Sequence, residues 1–461
     1  MACRNSRQRV ICAVVGSSWL LAACATVDPG PDYDRAVQEI RAATGVQSAF
    51  RPGEDDTCAR RVRELLVGDL SLREAVEVAM LNNPALQGAF RTIGMAKADR
   101  VQAGMLTNPS LMLALRFPTN GGGTAIEGNL LGSLLDLWQL SARIDTADAA
   151  LRRQVLQVAH SAVALAGAVR STYIDAITAE RLVAIAEENR ATAARLLELA
   201  EERVAAQAAT AIDANLARLD RAATDVALRD ARLAVVEARQ ELANHLGLEA
   251  LPPGCSLGPD FTDQAAPLPS AERLNELAEA HRLDVRAAQQ AVEEAAAEQA
   301  RQRGRVARVF NVGAAAEKEG DWSVGPAVRL ELPVFDQNQA QIAKAADTLA
   351  RQQQVLEAFR LGARRDVGVA RARAEASRDT VRIYAEQVLV RARETLELAR
   401  ESYRVGKSTI LPVLESQRNL LAARRDHLQR LRQAATALSD LELAAGVPRE
   451  ILFSPPPRKQ P

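Results

Sequence analysis

Long stretches of this chain repeat apolar residues at helical spacing. Leu151, Val155, Val158, Ala162, Leu165 and Val169 step by four, three, four, three and four. Leu421, Leu428 and Ala435 step by seven, with Leu431 and Leu438 interleaved. Such seams belong to helices that pack lengthwise. No proline falls between Thr119 and Leu251, or between Val334 and Leu411. Interruptions near Ala205–Thr210 and Val405–Pro412 divide each stretch into an antiparallel helix pair. An arm from Arg143 to Val204 is roughly 90 Å long at about 1.5 Å per residue. Its flanks are small or charged, so the arms must pack against further helices of this chain or its copies.

Ahead of each pair the period changes from helical to alternating. Ser110–Leu115 and roughly Thr124–Leu135 flank Pro118-Thr119-Asn120-Gly121-Gly122-Gly123. Val309–Ala314 and roughly Trp322–Leu332 flank Glu319-Gly320-Asp321. Two alternating runs around a glycine turn predict a β-hairpin. A helix opens each set, Leu72–Ala103 in the first and Ala271–Arg303 in the second.

The two sets are copies. Leu86 falls on Val285, Ala89 on Ala288, Ile93 on Val292 and Gly247 on Gly446, each 199 residues on. A period that long is a duplicated half rather than a solenoid repeat. The expected order is a first repeat over 70–247, with its hairpin at about 110–135 and helix pair at about 142–247. An inter-repeat linker follows over 248–270. The second repeat covers 271–446, with its hairpin at about 309–332 and helix pair at about 338–446. A C-terminal tail covers 447–461.

Composition narrows the class. The 461 residues are 48% hydrophobic, 3% aromatic and 25% charged, with 58 basic and 58 acidic side chains. That is too apolar for disorder, too charged for a polytopic bundle of membrane helices, and without the basic excess of a nucleic-acid binder. The start of the chain reads as an address. Arg4, Arg7 and Arg9 precede an apolar run over Val10–Ala22 that is too short to span a bilayer. Leu21-Ala22-Ala23-Cys24 then resembles the lipobox of bacterial lipoproteins, in which the cysteine becomes a lipidated N-terminus. The competing reading is an ordinary signal peptide with a chance cysteine. Residues 1–23 are thus expected to be a lipoprotein signal peptide, and 24–69 an irregular segment. Losing three arginines leaves 55 basic against 58 acidic groups, a charge of −3. Cys58 and Cys255 are then either a disulfide in an oxidising compartment or two buried thiols.

Four strands with open edges cannot close a barrel, but three copies would supply twelve. Here the chain resembles the outer-membrane efflux proteins, the TolC/OprM family of trimeric channel-tunnels. The resemblance rests on Leu81-Asn82-Asn83-Pro84-Ala85-Leu86, Gln102-Ala103-Gly104-Met105-Leu106-Thr107-Asn108-Pro109, Leu283-Asp284-Val285-Arg286-Ala287-Ala288, Leu332-Pro333-Val334-Phe335-Asp336 and Tyr403-Arg404-Val405-Gly406. It covers about residues 65–450 in family order, and many members share the lipobox.

The resemblance implies a mainly α fold with a small β part: a homotrimeric twelve-stranded outer-membrane barrel continued by a periplasmic helical tunnel. Its implied partners are a periplasmic adaptor (membrane fusion) protein, an inner-membrane pump of the RND type and outer-membrane lipids. Ala25, not Asp, after the cysteine implies delivery to the outer membrane. No catalytic residue, metal or cofactor is implied beyond the lipid on Cys24. The helix-pair turns would meet the adaptor through Arg203, Val204, Gln207, Tyr403, Arg404 and Gly406, with Gln207 at the glycine-equivalent place. Ser408 stands where many members carry an acidic ring, so Ser408 and Leu411 are the gate candidates. Simple helix-turn chemistry is the plainer reading of any one of these residues.

Other motifs carry less. Gly406-Lys407-Ser408 ends like a phosphate-binding loop, but Glu401 holds the place of the required first glycine. His160, His245, His281 and His427 lack ligand spacing. Glu201-Glu202 and Glu293-Glu294 read as solvated helix faces. Trp138 and Trp322 lie near strand ends, either at a membrane interface or packed where barrel meets tube. The competing functions are a type I protein-secretion duct and a coiled-coil structural lipoprotein without a pore.

Overall fold

The computed structural model describes residues 26–117, 119, 124–258, 267–305, 309–319 and 321–454. The expected signal peptide (1–23) and Cys24 lie outside them, as do the 120–123 and Gly320 turn positions. In chain order the elements are α1 (Gly30–Thr44), α2 (Asp55–Leu65), β1 (Asp69–Leu70), α3 (Leu72–Asn82), α4 (Pro84–Ala103), β2 (Ser110–Arg116) and β3 (Ala125–Ser133). Then come α5 (Leu135–Ala205), α6 (Ala211–His245), β4 (Ser256–Leu257), α7 (Ala271–His281), α8 (Leu283–Arg303), β5 (Phe310–Glu319) and β6 (Asp321–Leu330). The chain ends with α9 (Gln339–Ile383), a π-helical turn (Tyr384–Val388), α10 (Leu389–Arg404), α11 (Leu411–Ala445) and α12 (Arg449–Leu452).

These elements form two compact units, and each draws on separated parts of the chain. The first takes residues up to Asp32, Ile93–Leu151 and Glu293–Leu349. It holds an antiparallel sheet in the order β2-β3-β5-β6, so the two hairpins join through β3 and β5. The hairpins are anchored to flanking chain by polar clips. Thr107 donates its N–H to Asp136 at 3.0 Å, and Arg143 donates to the Met105 carbonyl at 3.1 Å. Asn338, at φ +66°, donates to the Gln302 carbonyl at 2.8 Å.

The second unit takes Tyr33–Thr92, Arg152–Val292 and Ala350–Pro461. Its long helices pair through small and branched residues, among them Val367, Leu438 and Leu441, which meet Leu274, Leu277, Val447 and Leu452. Along the α5–α6 pair, Glu201 meets Arg218, Asp225 meets Arg190, Glu187 meets Arg232 and Glu180 meets Arg239, at 2.7 to 2.9 Å. These partners run in opposite directions along the two helices, as an antiparallel register requires. Each such exposed pair is worth only a few tenths of a kcal/mol to about 1 kcal/mol. Ala200, Ala214 and Ala217 are buried, so small residues allow the close approach.

Three expectations need correction. Residues 24–69 are not irregular. They contain α1 and α2, because Pro31 falls in a first helical turn, where its missing N–H costs nothing. Tyr33 and Phe50 both pack on Phe90, with ring centroids 6.3 and 5.9 Å apart. The opening helix of each repeat is two helices. Pro84 forces Asn83 into extended backbone (ψ 120°) between α3 and α4. Arg282 takes the same conformation (ψ 121°) between α7 and α8 without a proline.

Cys58 and Cys255 are both buried free thiols, not a disulfide. Cys58 sits on α2 among Arg51, Glu54 and Asp55, whereas Cys255 faces Arg239, Glu180 and Asp69. The two sulfurs therefore occupy different surroundings. Burial raises both thiol pKa values, which keeps the reactive thiolate scarce.

The duplication reappears as geometry. Asn82 donates its amide to the carbonyls of Leu246 (3.0 Å) and Gly247 (2.8 Å), and Asn83 donates to that of His245 (3.0 Å). The Asn-Asn-Pro motif thus caps the end of α6 while Asn83 starts α4 through Ala85 and Leu86. A Cβ on Gly247 would lie 2.6 Å from the Asn82 carbonyl oxygen. At the matching station, a Cβ on Gly446 would lie 2.9 Å from the Arg282 nitrogen. Both glycines have φ +71°. The joint needs a glycine for handedness and for space.

Candidate functional site

The sheet has two chemically different faces. Cross-strand partners share a face, so the register sorts every residue. Leu111, Leu113 and Leu115 pair with Leu130, Gly128 and Ile126. Through β5, this face continues to Leu330, Val328, Pro326, Val324 and Trp322. It is apolar except for Lys318, whose ammonium lies 5.9 Å from the Trp322 ring. The other face carries charges at Arg116, Glu127, Glu317, Asp321 and Arg329, together with Asn129 and Asn311. Arg116 and Glu127 pair across it at 2.8 Å.

The apolar face is uncovered. Leu113 is 68%, Val324 74% and Val328 66% exposed. From Trp322 to Leu330 is eight residues, or about 26 Å at ~3.3 Å per residue. That matches the apolar band of about 25 Å on a membrane barrel. Strands β2 and β6 are its two open edges. Among the described residues no helix is long and apolar enough to cross a membrane. The sheet can face lipid on one side and water on the other, with its edges satisfied by further copies.

The hairpin tips are the second feature. Both turns close α-helices in the same way. Ala208 N–H donates to the Arg203 carbonyl at 2.8 Å and Gln207 N–H to that of Val204 at 3.0 Å. Lys407 N–H donates to Ser402 at 2.9 Å and Gly406 N–H to Tyr403 at 3.0 Å. These are Schellman turns, with the left-handed residue Gln207 (φ +56°) in one and Gly406 (φ +78°) in the other. A glutamine there costs about 1–2 kcal/mol of strain that glycine avoids.

The structure brings three of the expected tip residues together, Arg203, Tyr403 and Gly406. Arg203 donates to the Tyr403 carbonyl and, at 3.0 Å, to that of Ala208, so one guanidinium ties both turns. Gly406 leaves room beside it, its Cβ position being 3.8 Å from the guanidinium. Tyr403 is buried with Ile410, Val413 and Leu414, and burial raises its phenol pKa. Arg404, by contrast, points outward and pairs with Glu401 at 2.8 Å. Val204 is half-buried, and Gln207 is exposed. Of the gate candidates, Leu411 is 57% exposed, while the Ser408 hydroxyl oxygen is buried without a partner.

A stripe on α6 escaped the sequence reading. Ile212, Leu219, Val226 and Leu233 lie seven residues apart and are 58–68% exposed. The seven-residue spacing was its signal; only the fold reveals that nothing among the described residues covers it.

Fold and faces define a mainly helical subunit that carries a small two-faced sheet with open edges. A model of the family described as Outer membrane efflux protein matches residues 274–447, the second repeat. The cobalt-zinc-cadmium resistance protein CzcC of Cupriavidus metallidurans is 25% identical over 397 residues, which cover 82% of this chain and 90% of CzcC. Among solved structures, CusC aligns with a TM-score of 0.70 at 17% identity, covering 88% of this chain and 96% of the CusC chain. The Neisseria gonorrhoeae MtrE outer membrane channel, in its open state, aligns at 0.67 and 20% identity, covering 82% of this chain and 89% of MtrE. The second repeat thus matches the outer membrane efflux protein family, and the chain as a whole shares the fold of these channels.

Proposed function

We propose that this protein is the outer-membrane duct of a tripartite efflux system, exporting small molecules or ions. Three copies of its four strands, twelve in all, close the barrel, and the helix pairs continue as the periplasmic tunnel. The observation that carries this reading is the two-faced sheet with open edges: the lipid takes the leucine and valine face, and the lumen takes Arg116, Glu127, Asn129 and Arg329. The uncovered α6 stripe supports a homotrimer, because a heptad seam needs a second helix. The duct is passive, so no catalytic group or cofactor is required. A periplasmic adaptor docks on the tips around Arg203, Tyr403 and Gly406, and couples the duct to an RND-type inner-membrane pump. Cys24 carries the lipid anchor, so Cys24→Ala abolishes lipid labelling; retained labelling refutes the anchor. The likeness to CzcC supports metal cations as the first cargo class to examine.

Cysteine labelling in intact outer membranes tests the reading. Asn129→Cys reacts with a membrane-impermeant maleimide and Leu113→Cys does not. Equal labelling at both positions contradicts a barrel wall.

A further inference from the structure

A concavity of about 810 Å³ lies at the helix-connected end of the sheet. Leu134, Leu137, Trp138 and Phe310 line it, and Arg303 with Gly304 forms its rim. Leu134 N–H donates to the Phe310 carbonyl at 2.9 Å, which carries the β3–β5 ladder one step further. The groove therefore sits under the two central strands, away from the β2 and β6 edges that take neighbouring copies. Phe310 pairs with Leu330 and belongs to the apolar face, so groove and face are continuous. Leu137 is 55% and Trp138 78% exposed. Arg301 is engaged by Glu298 at 2.7 Å, whereas Arg303 stands exposed on the rim.

We infer that this groove is a binding site for an anionic glycerophospholipid of the surrounding bilayer. Its acyl chain lies along Leu134, Leu137 and Phe310, and its phosphate meets the Arg303 guanidinium. Three observations select that occupant over a protein neighbour. The groove continues the lipid-facing surface. It lies away from the edges where copies join. It also combines an exposed indole and a basic side chain at the end of the apolar band, the pairing that suits headgroup depth. This site rests on the membrane reading above, and the test separates the two.

Trp138 and Trp322 sit at opposite ends of the apolar band, and the only other tryptophan is Trp19. In a W19F background, W322F leaves Trp138 as the sole fluorophore and W138F leaves Trp322. Each full-length variant is placed in vesicles of phosphatidylethanolamine with a minority of phosphatidylglycerol, with bromine on the chains of one lipid or the other. Trp322 is expected to be quenched in proportion to total bromine, whichever lipid carries it. Trp138 is expected to be quenched roughly fivefold more per brominated phosphatidylglycerol, the preference one basic side chain gives near an anionic phosphate. Arg303→Gln should remove that preference. Equal quenching of Trp138 by both lipids, or a preference that survives Arg303→Gln, overturns the site. So does a Trp138 shielded from both lipids while Trp322 is quenched, which would mean that protein covers the groove. An unquenched Trp322 overturns the membrane reading itself.

Discussion

The guanidinium of Arg203 lies 4.3 Å from the centroid of the Tyr403 ring and donates to the Tyr403 carbonyl. One side chain thus joins the two helix-hairpin turns through a stacked and a hydrogen-bonded contact. A cation over an aromatic ring contributes about 0.5–2 kcal/mol, depending on exposure. Arg203→Ala should loosen both turns, seen as faster amide exchange around 203–213 and 400–411. Arg203→Lys should restore little, because an ammonium lacks the planar fork. Tyr403→Phe should leave the thermal midpoint unchanged or raise it, since the buried phenol has no partner.

Gln207 occupies a left-handed turn that its counterpart fills with Gly406. Gln207→Gly should stabilise the protein by about 1 kcal/mol. Gly406→Val should impair export without lowering trimer yield. Thermal midpoints in detergent and an efflux assay check the pair; unimpaired export by Gly406→Val argues against a tight contact at the tip.

On the apolar face, Leu113→Arg should cost about 2–4 kcal/mol of insertion at mid-membrane. Asn129→Arg, one strand over on the polar face, should be tolerated. The yield of folded protein in the outer membrane measures both.

The α6 stripe predicts an assembly defect. Leu219→Glu and Val226→Lys place charges on an uncovered seam, so the monomer should keep its helicity and lose its trimer. Native mass spectrometry with circular dichroism separates the two effects.

The second joint is acid-sensitive. Burial opposes ionisation of Asp284 and Asp366, but hydrogen bonds from Arg282 to both, and from Arg365 to Asp366, outweigh it and hold both pKa values down. A depressed carboxylate stabilises the fold above its unfolded pKa, and that stability is lost as pH falls through the folded pKa. Asp284→Asn should therefore lower the thermal midpoint at neutral pH. Its difference from the unsubstituted protein should begin to shrink as pH falls below about 4, the unfolded aspartate range, and vanish only below the depressed folded value.

Much of this architecture could be read from the sequence. The turn near 405–412 follows from Gly406 and Pro412 interrupting the heptads, the turn near 205–210 from a break in the seam without either residue, and the hairpins from alternation around glycine. The duplication predicted that Gly247 and Gly446 share a role. The rest was hidden for physical reasons. Helices α1 and α2 are short, and their stability comes from distant partners such as Phe90 rather than from periodicity. The break at Arg282 has no proline to announce it; its ion pairs do the positioning. Free Cys58 and Cys255 looked pairable because spacing says nothing of the different surroundings that hold them. The uncovered face of the sheet becomes evident only once the register sorts residues by side.

The central claim is that three copies form a water-filled passage across a bilayer. Single-channel recording of the purified trimer in planar lipid membranes tests it most directly. The account predicts discrete conductance steps, which Leu219→Glu abolishes along with the trimer. A purified, intact trimer that never conducts, or a conductance unaffected when the trimer is broken, would contradict it.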